Sequence, residues 1–127
     1  MEIGTQSAVI RMITDELLTP VIYMDETDDA VEFIGFFYDK QHEEEFAYKM
    51  RNRIEELCGK RVVLSDLKEY NATDRIDILS QTELIYSADP SMEKMVSMCV
   101  MEDYEKFEDE KTAALDRQSR LGVPYLQ

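Results

Sequence analysis

The spacing of apolar residues divides the chain into alternating helices and strands. Ile10, Ile13 and Leu17 recur at i, i+3 and i+7, with Val9 beside them, which predicts a helix over about residues 5–18. Thr5 or Ser7 can cap its start, and Pro20 cannot continue it. A short strand over 20–24 follows. Residues 31–38, VEFIGFFY, are β-branched and aromatic, as strands prefer. Val31, Phe33 and Phe37 share one parity; Ile34, Phe36 and Tyr38 share the other, with Glu32 as the one charge. Two apolar faces predict a central strand covered on both sides. Residues 41–58 make the clearest helix. Phe46, Met50, Ile54 and Leu57 form its stripe, Glu45 can pair with Lys49, and Gly59 ends it. RVVLSDL, 61–67, is the next strand. Strand, helix, strand in that order predicts a crossover, with 31–38 and 61–67 as parallel neighbours.

Thr73 can cap a short helix over 74–81 that carries Ile76 and Leu79, and ELIYS, 83–87, reads as an edge strand. Asp89 caps a long helix with Pro90 at its first position. Met92, Val96, Cys99, Phe107 and Ala114 follow the helical period, with Met95, Val100 and Tyr104 beside them. A helix over 90–117 spans about 40 Å, more than one small domain needs. The tail, 121–127, has turn residues and an apolar end. The pattern predicts one α/β (α+β) domain over 1–127: a small mixed sheet, flanking helices and a long C-terminal helix.

Charge narrows the function. The chain has 127 residues, 14 Lys and Arg against 28 Asp and Glu, and a formal charge of −14. A phosphate backbone and an anionic membrane are both held by clustered bases, so the balance counts against nucleic-acid and membrane partners. No apolar run approaches the ~20 residues of a transmembrane helix. The start, MEIGTQSAVIRMITDELL, lacks the basic and apolar regions of a signal peptide, and the expected location is the cytoplasm. Cys58 and Cys99 do not have metal-ligand spacing and are expected to be two buried thiols.

Acids cluster twice. Residues 25–45 hold nine acids and one base, and 102–110 hold six acids and one base. Either run reads as a solvated surface, or as a site for a divalent cation or a basic partner. DETDD, 25–29, lacks the ligand pattern of a calcium loop. His42, the only histidine, reads as an exposed polar residue. The four glycines are isolated, so there is no phosphate-binding fingerprint. Met92 and Met95 are expected in the core. Met98 and Met101 fall on the other side of the long helix, where exposed methionine suits an adaptable protein interface.

From Asp29 to Pro90 the chain resembles the minimal nucleotidyltransferase domains of the polymerase-beta-like superfamily. DAVEFIGFFYD stands where that family has its Asp-x-Asp strand. EELCGKRVVLSDL is similar to its helix end and following strand, and ILSQTELIYSADP to the strand and turn before its last helix. The resemblance covers about half the chain. The family's chemistry uses three carboxylates around magnesium and a glycine-rich turn that approaches the triphosphate. Residue by residue, the first carboxylate falls on Ala30, the second on Glu32 and the third on Val63. Asp66 cannot replace the third, because 63 and 66 differ in parity. DETDD replaces the Gly-Ser turn and would repel a triphosphate.

The resemblance therefore implies the fold and argues against the reaction. It implies a catalytically inactive binding protein with no catalytic residue, metal or cofactor. Its implied role is the antitoxin of a HEPN-type toxin. From the long helix itself, Met98, Met101, Glu102 and Glu105 are the expected interface, with a different partner or with a second copy. Two alternatives stand beside it. One is a divergent, magnesium-dependent nucleotidyltransferase using Asp28, Asp29 and Glu32. The other is a homo-oligomeric scaffold.

Overall fold

The computed structural model describes residues 1–37 and 44–120, with backbone only for 44–46 and 118–120. Helix α1 (Ile3–Glu16) leads into strands β1 (Val21–Glu26) and β2 (Ala30–Gly35). Then come α2 (Glu44–Cys58), β3 (Arg61–Asp66), a 3₁₀ turn at Leu67–Glu69, α3 (Ala72–Gln81), β4 (Glu83–Ser87) and α4 (Pro90–Arg120). His42, Glu45, Phe46, Tyr38 and the tail 121–127 lie outside the described side chains.

The strands form one mixed sheet in the order β3-β2-β1-β4. β2 runs antiparallel to β1 and parallel to β3, so the expected parallel pairing across α2 is present. β4 lies at an edge, as expected. Both faces of β2 are covered. Val31 and Phe33 join Val9, Ile13, Met50 and Ile54 in a cluster under α1 and α2. Ile34 joins Tyr23, Leu67, Ile78, Val96 and Val100 under α3 and α4. Helices therefore sandwich the sheet, the arrangement that two apolar sheet faces require.

Thr19 fixes where β1 begins. Its buried hydroxyl donates to the Val21 carbonyl at 2.7 Å and accepts from the Phe36 N–H at 2.9 Å, tying the start of β1 to the end of β2. Gly59 closes α2 with φ +70°, the left-handed region that glycine enters without a Cβ clash.

Several local expectations are corrected. α1 starts at Ile3, with neither Thr5 nor Ser7 as its cap. Asn71, not Thr73, caps α3, accepting from the Asp74 N–H at 2.8 Å. Asp89 caps α4 as expected, accepting from the N–H groups of Ser91 and Met92. Leu57 and Met95 are exposed, and Phe107 is 42% exposed. Of the α4 stripe, only Val96 and Val100 enter the apolar clusters among the described residues. Cys99 is exposed and Cys58 half-buried, so neither matches a fully buried thiol; burial pushes the Cys58 thiol pKa up. No described helix is long and apolar enough to cross a membrane.

Candidate functional site

The site lies where β1, β2 and β3 meet near the β1–β2 hairpin. Directly opposed residues on neighbouring strands share a sheet face. Asp25 opposes Glu32 on β1–β2, and Glu32 opposes Val63 on β2–β3. Asp25, Glu32 and Val63 thus form one row across three strands. Ala30 is two residues from Glu32 on the same face, beside Arg61. The three positions onto which the sequence resemblance would put carboxylates, Ala30, Glu32 and Val63, therefore lie together on the sheet.

Glu32 is already engaged. Its Oε2 accepts from the Ser65 hydroxyl at 2.8 Å and from the Tyr70 hydroxyl at 2.6 Å. The sheet register places Ser65 on this face, because it opposes Ile34 one row further in. Tyr70 arrives by a different route. Asp66 accepts from the Lys68 N–H at 3.1 Å and turns the chain into the 3₁₀ segment, which carries Tyr70 back over the sheet. Burial pushes the Tyr70 pKa up, and the Glu32 carboxylate to which it donates pushes it further. Asp66 itself points away from the row and serves this turn, in keeping with its parity.

The hairpin tip is short. Asp25 and Glu26 belong to β1, so Thr27, Asp28 and Asp29 alone span the gap to Ala30. The Thr27 N–H donates to the Ala30 carbonyl at 2.8 Å, and the Ala30 N–H donates to Thr27 Oγ1 at 3.2 Å. Two backbone donors of the tip are thereby consumed within the turn. Asp28 and Asp29 are exposed. No three His, Cys, Asp or Glu side chains are grouped to hold a metal ion among the described residues. Val63, 39% exposed, faces outward on edge strand β3 beside Tyr48 and Arg51, which stack at 5.0 Å.

Glu26 anchors the hairpin. It meets the Met1 amine at 2.8 Å and the Lys60 amine at 2.9 Å, and Lys60 also donates to the Thr27 carbonyl at 2.8 Å. The hydrogen bonds from Lys60 and the terminal amine lower the Glu26 pKa. A carboxylate with a lowered folded pKa stabilises the fold above its ordinary value of 4.5, and that contribution is lost as pH falls through the folded value. Glu26→Gln should therefore lower the melting temperature at neutral pH and leave it nearly unchanged in acid. Equal losses at both pH values would contradict the anchor.

No known family profile matches the chain, and no curated protein matches it in sequence. Solved structures do match it. A toxin–antitoxin MntA–HepT crystal structure superposes with a TM-score of 0.72 at 12% identity, covering 91% of this chain and 97% of the other. A tri-AMPylated Shewanella oneidensis HEPN toxin in complex with MNT antitoxin gives 0.72 at 13% identity, over 92% and 98%. A toxin–antitoxin structure with AMP-PNP gives 0.69 at 12%, over 88% and 96%. The fold is nucleotidyltransferase-like. The match runs nearly end to end on both sides, well beyond the Asp29–Pro90 stretch in which the sequence carries the resemblance.

Proposed function

We propose that this chain is a nucleotidyltransferase-like binding protein without transfer activity that serves as the antitoxin partner of a HEPN-type toxin. The observation that carries the reading is the row Asp25, Glu32, Val63 with its neighbour Ala30. The resemblance would put carboxylates at positions 30, 32 and 63, and this chain supplies only Glu32. That one is held by Ser65 and Tyr70. The hairpin uses its own N–H groups and presents Asp28 and Asp29 to solvent, which opposes a triphosphate electrostatically. Solved structures that share the fold include a toxin–antitoxin MntA–HepT complex and a HEPN toxin in complex with an MNT antitoxin, which supports the partner.

The partner surface is the outer face of α4. Met98, Met101, Glu102 and Glu105 stand at i, i+3, i+4 and i+7, one stripe of a helix. Met98 is 61% and Met101 48% exposed. They lie across the helix from the buried Val96 and Val100. Flexible methionines give apolar contact that adapts to a partner, and the glutamates steer a basic surface toward it.

Isothermal titration with ATP and magnesium tests the loss of chemistry. Binding should be no tighter than millimolar. Micromolar binding that Glu32→Gln abolishes would favour the divergent magnesium enzyme instead.

A further inference from the structure

We propose that the distal half of α4 is a dimerisation arm, which packs antiparallel against the same arm of a second copy of this chain. The inference is independent of the antitoxin reading and uses the opposite side of the helix from Met98 and Met101.

Asp103 of α4 pairs with Arg75 of α3 at 2.9 Å. Residues 105–120 then continue as helix for about 24 Å at 1.5 Å per residue. The stripe that is buried at Val96 and Val100 does not stop there. It runs on through Phe107, Lys111 and Ala114 at helical spacing. Phe107 stays 42% exposed, and no α4 residue beyond Val100 enters the apolar clusters among the described residues. A single domain has no use for a core stripe that outruns its core.

Charge selects the occupant. Residues 102–110 carry six acids and one base, a net −5, whereas 111–120 carry Lys111, Arg117 and Arg120 against Asp116, a net +2. A parallel copy would set acid against acid. An antiparallel copy centred between Glu110 and Lys111 sets the acidic half of each arm against the basic half of the other. The same centre places Phe107 opposite Ala114 of the partner subunit, a large residue against a small one, and two-fold symmetry repeats that contact. Two arms of this length form a contact at the low end of stable interfaces, so the dimer should depend on concentration.

Sedimentation of the full chain from low to high micromolar concentration tests it. The wild type should shift from monomer to dimer, more weakly in high salt because the paired halves are screened. Phe107→Glu should weaken the dimer at least tenfold. Lys111→Glu/Arg117→Glu turns the basic half of the arm from +2 to −2, and Glu108→Lys/Glu110→Lys reduces the acidic half from −5 to −1. The first variant alone should sediment as monomer, and mixing it with the second should recover a heterodimer. Circular dichroism confirms that each variant remains folded. A wild type that stays monomeric throughout overturns the proposal, as does a dimer that survives Phe107→Glu or a mixture that fails to pair.

Discussion

Met98→Lys/Met101→Lys should abolish the complex with a HEPN-type partner while leaving the domain folded. Burying one methionine contributes ~1.5–3 kcal/mol, so losing two weakens binding by about a hundredfold or more. The lysines add a desolvation cost on the partner side. The fold should tolerate the change, because both side chains already face solvent and long polar residues suit a helix exterior. Glu102→Lys/Glu105→Lys should act differently. It should slow association and flatten its salt dependence, with a smaller change in dissociation, because rim charges act mainly on encounter. Co-purification, surface plasmon resonance and thermal melting separate these outcomes. A double-lysine variant that unfolds would mean the methionines support the core. One that binds normally would place the interface elsewhere.

Arg75→Ala should be the most destabilising change to a polar residue. Its guanidinium donates to the carbonyls of Leu67 at 3.1 Å, Tyr70 at 2.8 Å and Lys68 at 2.6 Å, and to Asp103 at 2.9 Å. One side chain thus satisfies three carbonyls of the turn after β3 and fastens that turn to α4. Hydrogen bonds to charged groups contribute ~1.5–3 kcal/mol each and are not additive in a shared network, so the expected loss is about 2–4 kcal/mol. Arg75→Lys should recover little, since an ammonium cannot reproduce the planar fork. Asp103→Ala should cost under about 1 kcal/mol, because that partner is exposed. Urea unfolding midpoints rank the three. The same turn carries Tyr70 to Glu32, so Arg75→Ala should also loosen the site.

Most of the fold was legible in the sequence because its signals are local. The two apolar parities of β2, the α2 stripe, Gly59 and the Asp89–Pro90 helix start each decide a feature within a few residues. The errors arise where a distant contact overrides a local rule. Asp25 and Glu26 look like loop residues, yet they extend β1, since Glu26 gains Met1 and Lys60 and the ladder to Val31 and Glu32 continues. Phe107 fits the core period, yet it stays 42% exposed. At the candidate site, strand parity puts Ala30, Glu32 and Val63 on one sheet face, as the register shows. Ser65 and Tyr70 carried no local signal. Their hydroxyls reach Glu32 across 33 and 38 residues, a result of strand register and of the Asp66 turn.

Intact mass tests binding without nucleotide transfer most directly. The chain is combined with a HEPN-type toxin, with ATP and magnesium present, and the complex is isolated and weighed under native and denaturing conditions. A stable complex whose partner keeps its unmodified mass is the predicted result. A partner that gains the mass of one or more AMP groups, with the gain lost in Glu32→Gln, would contradict it.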